Sequence, residues 1–432
     1  MSVESPHQNS RIKRFFKKLG PGLVTGAADD DPSGITTYSQ SGAQFGFAQL
    51  WSALYQLPLL IAVQEACARI GAVTGKGLSG VIKDNYTKKV LMGVVSLVVV
   101  ANMINIGADI GAVASAIQLI INVPFAFIAI LVSLIIVLLE VHISYKKYVN
   151  ILKWLALALL AYPVTAIMIS APWGEIFRAT IFPEIHFSFE YFFIITAVFG
   201  TTITPYMFFW GSSTQVEEEN YKHIKKDENN RPIVSRHFLS NMRLDNTMGM
   251  IASQVAQWFI IIVTASVLFR GGIHNIATAS DAAKALEPLM TSLGAPGGLA
   301  KVIFAIGIVG LGMLAIPVLA GSSGYALAEA FGWKEGLSKK FGHAKSFYTV
   351  IILSTLLGLL FNFIGIDPIK ALVYAAVFNG TAAVPLIFLI AKINSNKSIL
   401  GEHSGSVMSR FFIWLTFIIM LSSVIGLLYT FL

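Results

Sequence analysis

Three consecutive carboxylates, Asp29, Asp30 and Asp31, stand directly before Pro32-Ser33-Gly34 in a stretch that is otherwise apolar. Carboxylates hold hard cations, and the residues that follow break a helix. Proline removes a backbone donor and clashes with the preceding turn, while glycine accepts non-helical angles, so the chain unwinds there. The same construction recurs 173 residues later, where the small residues Gly200-Thr201-Thr202-Ile203-Thr204 run into Pro205. Unwound carbonyls and half-helix ends coordinate a cation, and Asp31 supplies the charge. Asp29 and Asp30 either cap the broken helix or sit in an aqueous vestibule. Asn102, Asn105 and Asp109 follow at i, i+3 and i+7, which stacks them on one helix face. The two amides read as interhelical hydrogen bonding, and Asp109 as lining for an ion path. Asn379, beside Gly380 and ahead of Pro385, is either an oxygen ligand or a packing amide. The single cysteine, Cys67, excludes a disulfide framework, a zinc ribbon and an iron-sulfur cluster, so any metal is held by oxygen.

The elements that position these groups must lie in a membrane. Of 432 residues, 55% are hydrophobic and only 12% charged, and the mean hydropathy is +0.70. That is more apolar surface than one soluble core can hide. A bilayer span needs about 20 mostly apolar residues. Such stretches fall near 20–46, 48–70, 91–121, 124–143, 150–170, 192–213, 247–269, 301–328, 347–365, 370–391 and 411–431. The expected fold class is therefore an all-α polytopic membrane protein with eleven spans. The amino-terminal residues 1–19 are polar and then basic, unlike a cleavable signal. Counted on alternate sides, 26 of the 31 Lys and Arg share one side with the amino terminus. The positive-inside rule places that side in the cytoplasm and the carboxyl terminus outside, which points to the plasma (cytoplasmic) membrane. The net charge of +8 then reflects topology and anionic lipid, and a nucleic-acid partner is unnecessary. The polar stretch Glu217–Arg243 reads as a solvated cytoplasmic connection. Breaks in the first and sixth spans imply two five-helix repeats of inverted topology, 20–170 and 192–391, with 411–431 as an additional helix.

Beyond this, Gly20-Pro21-Gly22-Leu23-Val24-Thr25-Gly26-Ala27-Ala28-Asp29-Asp30-Asp31-Pro32-Ser33-Gly34 resembles the first helix of the Nramp family of divalent-metal transporters, where an Asp-Pro-Gly-Asn motif binds the ion. Similarity continues through Ala68-Arg69-Ile70-Gly71-Ala72-Val73-Thr74-Gly75-Lys76-Gly77, Ala108-Asp109 and Leu244-Asp245. The resemblance implies a LeuT-type fold with a 5+5 inverted repeat and broken helices one and six. It also implies a ligand set. The family's Asp falls on Asp31 and its Asn on Gly34; the Met of its helix-six Met-Pro-His falls on Thr204, and the adjoining backbone carbonyl on Thr201. A soft thioether is thus replaced by a hard oxygen and one amide is lost, which favours a hard ion that keeps part of its water. In this the chain is most like the Nramp-related magnesium transporters, and Mg²⁺ with Mn²⁺ is the expected cargo. No resident cofactor is implied. The family's proton path is also altered. Its helix-six His is Tyr206 here, its helix-three Asp is Asp109, the Glu beside it is Ala112, and the ninth span carries no Arg. A phenol of pKa about 10 cannot relay protons near neutrality as an imidazole of pKa about 6.5 does, so uncoupled, voltage-assisted uptake is expected.

Three other readings compete. A proton-coupled transition-metal carrier keeps the family's usual chemistry. A sodium-coupled carrier of small organic solutes would share the fold, but three carboxylates beside the break repel a substrate carboxylate. A membrane enzyme using the Asp run for metal-diphosphate chemistry would need a second Asp-rich cluster, and no other span has one.

Overall fold

The computed structural model describes Gly26 and residues 30–142, 155–169, 171–228 and 231–431. Residues 1–19, most of the first span's opening half including Asp29, and the basic stretch at 143–154 lie outside the described residues. Everything described is helix or connection, apart from one isolated bridge between Lys226 and Pro232. In chain order the principal helices are α1 (Pro32–Phe45), α2 (Trp51–Thr74), α3 (Leu78–Asn85), α4 (Lys88–Gln118), α5 (Phe125–His142), α6 (Ala161–Met168) and α7 (Trp173–Ile181). They continue with α8 (Phe189–Thr202), α9 (Pro205–Tyr221), α10 (Arg236–Thr264), α11 (Leu299–Phe331), α12 (Lys345–Phe361), α13 (Pro368–Ser395) and α14 (Val407–Phe431).

Eight of the described helical stretches, with α8 and α9 taken as one, are long and apolar enough to cross a bilayer. They correspond to eight of the eleven spans expected. The described part of the fifth expected span is helical as far as Met168, followed across a bend of 119° by Trp173–Ile181, and the ninth is met by α12, an apolar helix of 17 residues. The first is met by α1, the described part of its closing half. Contacts join segments that the charge count puts on one side: Arg270 pairs with Glu175 at 3.2 Å, and Arg231 donates to the Ile399 carbonyl at 3.5 Å.

Two expectations are corrected. The stretch from Glu217 to Arg243 is not one solvated loop, because α9 runs on to Tyr221 and α10 begins at Arg236. Glu217 is tied to the Tyr325 hydroxyl and accepts from the Leu337 backbone N–H at 2.6 Å, and Glu219 is buried. The ninth expected span, α12, starts earlier than 347, which brings Lys345 into its first turn, exposed at the helix end.

Proline alone does not decide where a helix breaks. Pro58, Pro317 and Pro385 lie inside continuous helices. Pro32 and Pro205 instead open new ones, each after an extended residue: Asp31 (φ −69°, ψ 173°) and Thr204 (φ −90°, ψ 142°). The extended basin is the one a following proline favours, and proline fits the first helical turn, where no donor is needed.

Close approach packs the first half of the broken sixth span against α13. A Cβ added to Gly200 of α8 would lie 2.0 Å from the Ala376 carbonyl oxygen and 2.3 Å from the Gly380 nitrogen of α13. Backbone cannot yield there as a side chain can, so Gly200→Ala should lower thermal stability in detergent by about 1–3 kcal/mol. Gly93→Ala, at an exposed position inside α4 with nothing within 4 Å, should not lower the melting temperature, since alanine is the better helix former. Equal melting of the two variants would contradict the packing described.

Candidate metal centre

The two breaks meet in the buried interior. Ser33 and Thr201, from the two broken helices, share a hydroxyl–hydroxyl hydrogen bond of 3.1 Å, and Tyr38 joins Thr202 at 2.9 Å. Because Pro205 has no N–H, the Thr201 carbonyl lacks the donor that a continuous helix would supply four residues on. The Ile203 N–H closes α8 on Phe199 at 2.8 Å, one residue short of the break. The C-terminal end of α8 therefore presents carbonyl oxygen, the negative end of its dipole, at the level of Asp31.

Asp31 is the hub. Its Oδ1 accepts from the Gly34 N–H at 2.8 Å and caps α1, and its Oδ2 accepts from the Asn105 amide at 2.9 Å. The Asn105 carbonyl oxygen in turn accepts from the Asn379 amide at 3.3 Å. Asp31, Gly34, Asn105 and Asn379 thus form one chain of contacts from α1 through α4 to α13. Both amides serve as donors toward the carboxylate, which leaves the Asn379 carbonyl oxygen as its free donor atom for a cation.

Thr204 is placed differently from Asp31. Although it is the residue before α9, its hydroxyl caps nothing, is fully buried, and has no hydrogen-bond partner among the described residues. An orphaned buried hydroxyl costs free energy unless something binds it, and an oxygen-seeking cation is one such partner. Both Asp109 oxygens are orphaned in the same way, one turn along α4 from Asn105. Tyr206 is fully buried in the first turn of α9, and its backbone carbonyl accepts from Ser322 of α11 at 2.8 Å. Asn102 acts as an interhelical donor, to the Leu319 carbonyl at 3.1 Å and to Ser323 at 3.0 Å, so it ties α4 to α11.

Charge is the dominant feature. Asp30, Asp31 and Asp109 are exposed by 3% or less, and among the described residues none forms an ion pair with Lys, Arg or His. Buried carboxylates ordinarily have a cationic partner or coordinate a metal. If Asp31, the Thr201 carbonyl, Thr204 and Asn379 met on one ion they would offer oxygen alone, a set that suits a hard divalent ion.

Several contributors escape the sequence reading. Ser253 of α10 donates to Asp30 at 3.1 Å, and Gln257 links the Ser52 hydroxyl at 3.0 Å to Thr202 at 3.4 Å. The signal available was polar residues in an apolar span, Ser253, Gln254 and Gln257, which membrane helices rarely carry without a partner.

Comparison with known proteins follows the same direction. A family model described as natural resistance-associated macrophage protein-like matches residues 22–430. Over 318 residues the chain is 25% identical to a protein of Listeria innocua named divalent metal cation transporter MntH, covering 72% of this chain and 67% of that one. A crystal structure of a manganese transporter from Eremococcus coleocola, in complex with an aromatic bis-isothiourea compound, superposes with a TM-score of 0.75 at 16% identity, over 99% of this chain and 89% of the other. MhsT, in complex with L-phenylalanine, matches with a TM-score of 0.60 at 13% identity, over 95% and 98% of the two chains. The fold is thus the LeuT type, and the relatives are transporters, not enzymes.

Proposed function

The chain belongs to the Nramp family, and on that premise we propose that it is an integral membrane carrier of divalent metal cations, with Mg²⁺ its main cargo and Mn²⁺ also accepted, working by alternating access. The observation that carries this reading is the trio of buried carboxylates without a basic partner, set beside two helix breaks that expose oxygen. A dication is the counter-charge that carboxylates in such a setting lack. The names of the Listeria and Eremococcus proteins support divalent metal as the substrate class, and manganese within it.

Preference for Mg²⁺ rests on the ligands. Asp31, the Thr201 carbonyl, Thr204 and Asn379 offer oxygen alone, and Gly34 contributes no side chain, so the ion keeps several waters. Asp109 and Tyr206 line the path beside the site. Lys and Arg asymmetry supports insertion in the cytoplasmic membrane with the amino terminus inside and the carboxyl terminus outside.

Influx needs no proton. A dication moving inward gains about 2.3 kcal/mol per charge for each 100 mV, enough to drive accumulation. In proteoliposomes with a negative internal potential, a Mg²⁺-sensitive dye inside should report uptake, while a pH dye reports no Mg²⁺-dependent acidification. Acidification that rises with added Mg²⁺ or Mn²⁺ would instead support proton-coupled metal transport, the reading that Asp109 favours as the retained carboxylate of the family's proton path. Sodium-dependent amino-acid uptake without metal uptake would support the organic-solute carrier.

A further inference from the structure

The two carboxylates at the first break face different helices. Asp31 turns to α4, whereas Asp30 turns to α10, where Ser253 donates to its Oδ1 at 3.1 Å. On that side α10 packs along α2 in the opposite direction, and two contacts fix the register: Gln257 with Ser52 at 3.0 Å and Arg243 with Glu65 at 3.3 Å. One turn in from Ser52 along α2 lies Gln56, and one turn back from Gln257 along α10 lie Ser253 and Gln254. Gln56, Gln254 and Asp30 therefore occupy one level, beside the ion site.

Gln56 is fully buried and Gln254 is 3% exposed, yet the amide nitrogen and oxygen of both have no hydrogen-bond partner among the described residues. Helix packing leaves these four polar atoms unpaired, the two carbonyl oxygens among them, on facing helices at the level inferred for Asp30. Buried polar groups of this kind are satisfied by ordered water. Water bound to a metal ion donates both its protons, because its lone pair is committed to the metal. Its outer partners must accordingly be acceptors, and the Asp30 carboxylate and the two glutamine carbonyls are acceptors.

We propose that Asp30, Gln56 and Gln254 form an outer-sphere pocket that holds the retained waters of a dication bound at Asp31, and so select for ions that dehydrate reluctantly. The inference rests on the reading of Asp31 as the ion site. It makes Asp30, Gln56 and Gln254 specificity-determining residues that never touch the metal itself.

Cobalt(III) hexaammine tests this directly, since its ligands do not exchange and it can bind only through outer-sphere hydrogen bonds. In wild-type proteoliposomes it should inhibit Mg²⁺ uptake competitively. Asp30→Asn, Gln254→Leu and Gln56→Leu should each weaken that inhibition and lower the ratio of Mg²⁺ to Mn²⁺ uptake by about tenfold, the lower end of outer-shell effects on metal sites. Each variant's own Mn²⁺ uptake serves as its reference for folding. Ratios and inhibition within twofold of wild type in the two glutamine variants overturn the proposal, whether or not Asp30→Asn is active. Wild type that carries no divalent ion overturns the transport reading, a failure distinct from wild-type uptake with unshifted variants.

Discussion

Asp31→Ala should abolish uptake of both Mg²⁺ and Mn²⁺ into proteoliposomes at a negative internal potential, while the protein still elutes as a folded species in detergent. Two losses combine in this variant. The buried Gly34 N–H and the Asn105 amide lose their acceptor, at about 1–3 kcal/mol each. The site also loses the charge that attracts the ion. Asp31→Asn separates the two, because its carbonyl oxygen can still cap α1 at Gly34. Its amide then faces that of Asn105, donor against donor, and Asn105 can turn only by giving up its bond from Asn379. Removing one partner from a buried charge pair costs about 3–5 kcal/mol, so Asp31→Asn should lower uptake more than about 100-fold. Dye-reported uptake of the Asn variant within tenfold of wild type would remove Asp31 from the ion site.

The carboxylates support this ordering of effects. Asp109 and Asp30 flank Asp31 and are equally buried, but neither is tied into both α1 and α13 as Asp31 is, through Gly34 on α1 and through Asn105 to Asn379 on α13. With Asp31 gone, Asp109 still offers carboxylate oxygens one turn from Asn105. It lacks the carbonyl and hydroxyl oxygens that complete a shell around a small dication.

How much of this the sequence discloses depends on what each residue owes to its own neighbours in the chain. The breaks at Pro32 and Pro205 are legible because the residues that cause them are adjacent: an extended Asp31 or Thr204, then a proline in the first helical turn. Asp31 is legible because an intramembrane carboxylate is expensive wherever its partners lie. Pro385 shows the limit of the same logic, since α13 continues through it and Asn379 enters the network by packing against α4. The pairing of Asn105 with Asp31 depends on how α4 is rotated against α1, which periodicity along α4 alone leaves free. Ser253, Gln254 and Gln257 are invisible for a related reason. Their span reads as an apolar helix with three polar residues, and only the tertiary packing sets Ser253 against Asp30, Gln257 against Ser52 on α2, and Gln254 in a buried position without a partner among the described residues. Thr204 is the opposite case, being unremarkable in composition and brought forward by resemblance to a motif. The last turns of α9 and the first turns of α10 read as loop in the sequence because charged residues at the membrane surface look alike whether helical or not.

Thr204→Met should shift ion preference toward softer metals, raising the ratio of Cd²⁺ or Mn²⁺ uptake to Mg²⁺ uptake on the order of tenfold, the effect of about 1.4 kcal/mol in relative affinity. The variant tests ligand softness with little confounding loss. The Thr204 hydroxyl has no hydrogen-bond partner among the described residues, so replacing it breaks no contact, and its backbone is extended, a conformation open to methionine. A thioether is polarizable and binds Cd²⁺ better than it binds Mg²⁺, which prefers oxygen and its own waters. Methionine is also longer and flexible, and it fills the space where an ion with a partial water shell would sit. Both effects act against Mg²⁺ and neither acts against a dehydrated soft ion. Uptake of all three metals should be measured in the same vesicle preparation, so that differences in protein amount cancel in the ratios. A variant that transports with wild-type ratios would mean that Thr204 does not face the ion. In that case the hard-ion preference would have to come from Gly34 and the waters held on the Asp30 side, and Asp30→Asn would carry the larger selectivity change.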